Sequence, residues 1–592
     1  MKLPTTWNIN KLATGPFDPK FILKRKKILK QYKSFHKKWS NDSSYLTNSS
    51  SMKEALDAYE KLASYENIES LYLFLASSLN TEDTEIQAAS QLLSDFSNTL
   101  SDYVRFFELS IGKIDIQTQK KFLSDPLLSE YRKYLSDIFT TAVYTLSEKE
   151  EKILSMKSGV SAGNWVNMLE EFLSSETREI TIAKKKEEVS FSQLMNLMRS
   201  SEGNISDQAI EGIKSILKNN EKVAEKEINS FLENKKINDQ LRGFKRPDAS
   251  RHIAEDIASK TVDTFVKTVT ENFKISQDFY TFKAKLFKVK KFSYFNRIVE
   301  YGQHTKKYSY EDSVNIVERA LLKISPEFRD IFIDFVNNNQ IDVYPSKGKS
   351  GGAFCMPSYS SDVHILLNHD GSIRNVTTLA HEVGHGIHAT KARKENALNY
   401  DVPMCTAEVA STFCEDFVID ELLTDADDEM KLVMMINQLE DKVATIFRQI
   451  AAYNFEKELH EEFRKKGYLP GKEIGELFNK HMKSYMGDAV SFDEDSGRGW
   501  IYWSHFRSSF YVFAYAMALL VSQYAKKQLT NDPSYLMKIN EFYETGSSKS
   551  PDMIFKSLGI QVNNDKQWME GINQVRELLK QTTKLAKKLG KI

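Results

Sequence analysis

The spacing of apolar positions along the chain predicts a protein built mainly of helices. Stretches such as 53–155, 205–240, 250–275 and 428–465 carry apolar residues at helical intervals with few breakers. Proline is scarce, with 12 in 592 residues, and glycine is modest at 24. One stripe has an informative opposite face. Val376, Leu379, Ala380, Val383 and Ile387 follow i, i+3, i+4, i+7 and i+11, while His381, His385 and His388 fall almost across the helix from them. Asn375 stands just before the pattern as an N-cap. A second stripe, Val409, Phe413 and Phe417, predicts a helix over 404–422 with Glu408 and Glu415 on its other side. Strand patterns are few, at 341–345, 352–356 and 364–368. The turn signals Gly351-Gly352 and Asp370-Gly371 fit them into one small antiparallel sheet before the histidine helix. The expected fold class is therefore mainly α with that single sheet. A soft boundary at 180–190 divides an N-terminal helical region, 1–185, from the remainder, 186–592.

The histidine helix contains His381-Glu382-Val383-Gly384-His385, an H-E-x-x-H motif. Histidines at i and i+4 can point at one ion, and the glutamate beside the first can act as general base on a water bound there. A catalytic zinc needs three protein ligands and one open position. The extended motif that supplies a third histidine fails here, because His388 stands in its glycine position and Lys391 in its last position. His388 lies on the same face as the motif histidines, yet three ligands from two consecutive turns make an awkward tetrahedron. A role beside the ligands or against substrate suits it better, and a polar surface histidine is an equal alternative. Glu408 could complete the ligand set and Glu415 could accept a hydrogen bond from a ligating histidine. On spacing alone, a solvated acidic face explains both glutamates as well.

The runs Thr377-Thr378-Leu379-Ala380-His381-Glu382-Val383-Gly384-His385-Gly386-Ile387-His388 and Ala407-Glu408-Val409-Ala410-Ser411-Thr412 resemble the oligoendopeptidase F branch of the thimet-oligopeptidase metallopeptidase family. So do Lys349-Ser350-Gly351-Gly352-Ala353-Phe354-Cys355 with His364-Ile365-Leu366-Leu367-Asn368, and Trp503-Ser504-His505-Phe506 running on to Ala516. Upstream of Lys349 no motif carries the likeness. The resemblance implies one zinc held by His381, His385 and Glu408, with Glu382 as base. It implies oxyanion donors from the 500–520 segment, where His505, Tyr511 and Tyr515 stand. It also implies helical lobes about a deep channel and short peptides as substrates. In the thimet branch the segment after this histidine is a glycine-rich flexible loop, whereas here Arg507-Ser508-Ser509 occupies it. Gly352-Ala353-Phe354 reads as an edge strand that can pair with an extended peptide, or simply as a tight turn into a strand.

Charge narrows the partners. Lys+Arg and Asp+Glu are 81 each, a net of zero, which gives no support to nucleic-acid binding. The runs Lys24-Arg25-Lys26-Lys27 and Lys184-Lys185-Lys186 read as solvated faces. The basic amphipathic stretch 578–592 reads as a helix packed by one face rather than a membrane contact. Cys355, Cys405 and Cys414 show no disulfide spacing, no signal-peptide core is present, and the apolar run 510–521 is too short to span a bilayer. A soluble cytoplasmic zinc endopeptidase is expected. A zinc aminopeptidase would need an exopeptidase motif, which is not evident. A helical peptide-binding scaffold with a structural zinc would gain nothing from Glu382.

Overall fold

The computed structural model describes residues 3–65, 68–302 and 306–592. Helices dominate, and the strands are short: β1 (Thr177–Ile182), β2 (Lys185–Ser190), β3 (Phe292–Ser293), β4 (Ile341–Asp342), β5 (Phe354–Met356), β6 (His364–Leu366) and β7 (Val490–Ser491). The chain forms two compact units, each assembled from three segments.

The first unit comprises Met1–Glu148, Lys306–Thr424 and Ala525–Leu558. Its sheet has the order β4-β6-β5. β6 is the central strand, with Ile365 and Leu366 fully buried. The sheet is mixed rather than antiparallel: β5 runs antiparallel to β6, but β4 runs parallel to it. The chain reverses once into β5 and again into β6, so β4 and β6 share a direction. β5 pairs with β6 alone, which leaves it at the edge of this sheet. The helix Ile373–Lys391 follows the sheet, as the apolar stripe predicts, and buries Val376, Leu379, Ala380, Val383 and Ile387. It begins three residues earlier than the Asn375 cap would place it. Ser372 is the N-cap residue, and Asn375 Oδ1 instead accepts from the Asp370 amide at 2.7 Å and the Ser372 hydroxyl at 3.2 Å. The helix Met404–Thr424 buries Val409, Phe413, Cys414 and Val418 against it and its neighbours.

The second unit comprises Lys149–Thr305, Asp425–Tyr524 and Gly559–Ile592. Its longest helix, Gly203–Arg242, buries Ile213, Ile216, Leu217, Ala224, Ile228 and Leu232 along one side. It stops at Gly243, whose φ of 79° is the left-handed C-cap that glycine adopts without penalty. The stretch 180–190 lies inside this unit and belongs to a hairpin, β1 paired with β2. The basic C-terminal stretch belongs to the helix Asp565–Lys588, which buries Trp568, Ile572, Val575 and Leu579. The aromatic run at 510–521 enters the helix Phe513–Asn531 and is almost wholly buried. Among the described residues no helix is long and apolar enough to cross a membrane.

Candidate metal centre

Two helices build the centre, and a glycine sets their separation. Gly384, inside the H-E-x-x-H motif, packs so closely on the helix Met404–Thr424 that an added Cβ would stand 2.7 Å from both Ala410 O and Ser411 Cα. Gly386 does the same toward Phe335, with 2.7 Å to a ring carbon. These two positions let the motif helix sink against its neighbours, bringing His381 and His385 up to Glu408. One candidate donor atom from each of these three residues lies within 4.8 Å of the other two. His381 Nε2 is 3.5 Å from Glu408 Oε2, and His385 Nε2 is 3.9 Å from the same oxygen. His381 Nδ1 lies 3.2 Å from Glu415 Oε2. Donation from Nδ1–H to Glu415 leaves Nε2 turned to the Glu408 side, which is how a carboxylate fixes the tautomer of a ligating histidine.

The electrostatics follow from burial and from the two carboxylates. Burial alone would depress His381, but Glu408 and Glu415 outweigh it and raise it well above the ordinary histidine value. Burial and the charge on His381 push His385 down to about 4. Burial resists ionisation of Glu408, yet its contacts with His381 and the charge near His385 hold it below the usual range. Glu382 is pushed up to about 7 by burial, with Glu408 and Glu415 adding to the rise and His381 opposing it. Its carboxylate also accepts from the Cys355 backbone amide, which ties it to edge strand β5.

A cavity of about 380 Å³ opens on these groups, lined by His381, Glu382, His385 and Glu408 and by Ala353, Phe354 and Cys355 of the edge segment. Gly352 is not among the lining residues. Its φ is 76°, and its carbonyl accepts from Asn368 Nδ2 at 2.8 Å, so it serves the turn into β5. His388 reaches the cavity wall but is only 3% exposed, with its ring 5.2 Å from Phe542 and 5.4 Å from Tyr543. Burial, then the neighbouring His385, pushes it down to about 3, so it is a neutral ring. Its Nδ1 is buried without a hydrogen-bond partner. Tyr400 was not singled out by its sequence context, yet it also lines the cavity, with a buried hydroxyl close to Arg393. A lone tyrosine in a loop carries no periodic signal that could have marked it.

His505, Tyr511 and Tyr515 come together in the second unit. The Tyr511 hydroxyl and His505 Nδ1 share a hydrogen bond, and with the hydroxyl as donor the ring proton sits on Nε2. Tyr515 closes the cluster, its ring 6.1 Å from His505 and 5.7 Å from Tyr511. Only Tyr515 lies within the following helix; Tyr511 belongs to the turn before it. Burial, with the Arg448 charge, pushes His505 down to about 4, and burial raises Tyr511. Both are therefore neutral at physiological pH and able to donate.

Comparison with known proteins finds matches over most of the chain. Residues 167–574 match the profile of Peptidase family M3 and residues 110–175 that of Oligopeptidase F. The oligoendopeptidase F homolog of Borreliella burgdorferi is 26% identical over 515 residues, covering 84% of this chain and 85% of its own. A crystal structure from Chlamydophila abortus superposes with a TM-score of 0.83 at 20% identity, over 98% of both chains. Oligoendopeptidase-F from Enterococcus faecium gives 0.72 at 18% identity, over 96% of this chain and 99% of its own.

Proposed function

Because the chain belongs to peptidase family M3 and is a metalloendopeptidase, we propose that it is a zinc enzyme that hydrolyses internal bonds of short unstructured peptides, with Glu382 as general base. The observation that carries this reading is the convergence of His381 Nε2, His385 Nε2 and Glu408 in the cavity that also contains Glu382. Two imidazoles and one carboxylate are a donor set of catalytic zinc and leave a fourth position for water. When bound, the ion lowers the pKa of that water to about 7 and polarises the scissile carbonyl.

The protein's own groups do the rest. Glu382, near pH 7 in its burial, takes a proton from the attacking water and returns it to the leaving nitrogen. Glu415 holds His381 in the tautomer that frees Nε2. The edge of β5, at Ala353 and Phe354, pairs with the extended backbone of the peptide, so recognition does not depend on its side chains. His505, through Nε2–H, and Tyr515, through its hydroxyl, donate to the developing oxyanion, and Tyr511, whose hydroxyl proton is given to His505 Nδ1, keeps the ring in the tautomer that can donate. His388 backs the cavity wall as a neutral ring against the bound peptide.

Glu382→Gln tests the reading. The amide is nearly isosteric but cannot take the proton, and general-base catalysis contributes about 10²–10⁴-fold. The variant is expected to keep one zinc per chain while turnover of an internally quenched peptide blocked at both ends falls by that factor. Cleavage of a doubly blocked peptide by the wild type also separates an endopeptidase from an aminopeptidase. Undiminished turnover by the variant overturns the assignment of Glu382.

A further inference from the structure

The segment between His505 and Tyr511 has a backbone that its residues do not choose unaided. Ser509 and Phe510 have φ of 46° and 62°. Two consecutive left-handed residues without a glycine are costly, because each Cβ crowds its own carbonyl. Packing does not hold the turn throughout: Ser508 is exposed, and Ser508 and Ser509 border a cavity of about 320 Å³. Directed hydrogen bonds hold it instead. Arg251, on the short helix Ala249–Ala254, donates through Nη2 to Ser508 O at 2.5 Å and through Nε to Ser509 O at 3.0 Å. Its guanidinium also lies 5.8 Å from the centre of the Tyr511 ring. Glu456, on the helix Gln449–Lys466, accepts from the Phe510 amide at 2.8 Å. The Phe510 side chain is anchored, with its ring 4.9 Å from His460 and 5.6 Å from Tyr453.

We propose that Arg251 and Glu456 are positioning residues for His505 and Tyr511, holding the Ser508–Phe510 turn in the left-handed path that closes the His505–Tyr511 hydrogen bond. The inference rests on the oxyanion role given above to His505, whose donating tautomer Tyr511 fixes. The turn joins the 3₁₀ segment Ser504–Arg507, which carries His505, to Tyr511 and the helix that starts at Phe513. A change of φ at either strained residue therefore swings the hydroxyl away from the imidazole. Burial pushes Glu456 up to about 8, so it holds the amide as a neutral acid, which glutamine imitates.

The test compares Arg251→Met, Glu456→Leu, Glu456→Gln, Ser509→Gly and the double variant Arg251→Met/Ser509→Gly in the zinc-loaded full chain, with His505→Ala beside them. A catalytic group misplaced by about 1 Å can cost about 10²-fold. Arg251→Met and Glu456→Leu are expected to lower kcat about 10–100-fold, with KM within about twofold and zinc content unchanged. Glu456→Gln is expected to retain activity because its amide oxygen still accepts from Phe510. Ser509→Gly alone is expected to be near neutral, and added to Arg251→Met it is expected to restore part of the lost kcat by keeping the turn left-handed. Wild-type kcat in Arg251→Met overturns the proposal, as does Glu456→Gln being as damaging as Glu456→Leu. Arg251 is partly exposed, so that arm still decides the matter if Glu456→Leu does not fold. Full activity in His505→Ala would instead overturn the oxyanion assignment on which the proposal rests.

Discussion

Gly384→Ala sets two opposite effects against each other at the metal centre. In an isolated helix the change is favourable by up to about 1 kcal/mol, because alanine loses less backbone freedom. Here the new methyl would stand 2.7 Å from Ala410 O and Ser411 Cα, both backbone atoms that cannot rotate away. Ordinary contact begins at 3.4 Å, so the helices must part by about 0.7 Å. Overpacking of that kind typically costs about 1–3 kcal/mol, and it wins on balance. The consequence for the site is larger than that for the fold. His381 and His385 flank Gly384, and Glu408 precedes Ala410 on the opposing helix, so the displacement enters the distances among all three donors. Metal–ligand distances hold to about 0.2 Å. Zinc affinity, measured by competition with a chromophoric chelator, is therefore expected to weaken at least about 10–100-fold, the loss usual when a group supporting a ligand is removed. Gly163→Ala, with nothing within 4 Å of the new atom, is the matched control and should bind zinc as the wild type does. Wild-type zinc affinity and kcat in Gly384→Ala would refute the view that close helix approach sets the donor geometry.

Glu408→Ala should abolish stoichiometric zinc binding, whereas Glu415→Ala should weaken it about 10–100-fold; equal metal affinity in the two variants, read by the same competition, would reverse their roles. The acid limb of kcat/KM should follow Glu382, whose raised value near 7 means that the base form is lost as pH falls through it; a bound cation favours the carboxylate and draws the midpoint lower. His505, near 4, stays neutral across that limb, so residual activity in His505→Gln should keep the midpoint, and a shifted midpoint would give the limb to His505. Because pairing with β5 needs an extended backbone, a quenched unstructured peptide should be cut while the same sequence inside a folded domain is spared, since freeing it costs about 5–15 kcal/mol of unfolding. Equal rates on the two substrates, followed by mass spectrometry, would exclude edge-strand recognition.

What could be read from the chain depended on the range of the interaction. The helix Ile373–Lys391 was legible because its five stripe residues lie within twelve positions and are all buried. The helix Met404–Thr424 shows the same logic, and its spacing alone placed Glu408 and Glu415 on one side. Glu408 then needed the family likeness to distinguish it from a solvated acid, because spacing says nothing of what a helix face meets. The three strands near 341, 354 and 364 were marked by turn glycines, but not the parallel pairing of β4 with β6, which depends on where the chain returns. Asn375 illustrates local competition: its side chain caps backwards, onto Asp370 and Ser372, instead of starting the helix.

The features that escaped a sequence reading share one property: their partners are distant along the chain. The closeness that makes Gly384 irreplaceable is set by Ala410 and Ser411, on another helix. Tyr400 enters the metal cavity through a loop that has no period. The turn after His505 is the clearest case. Arg507-Ser508-Ser509 departs from a glycine-rich pattern, and read locally that departure predicts a different backbone path. The path is left-handed nonetheless, because Arg251 reaches Ser509 across 258 positions and Glu456 reaches Phe510 across 54. Glycine supplies such a conformation through freedom, whereas here fixed donors and an acceptor impose it on residues that would otherwise leave it. The path of this turn is therefore set by residues far from it along the chain.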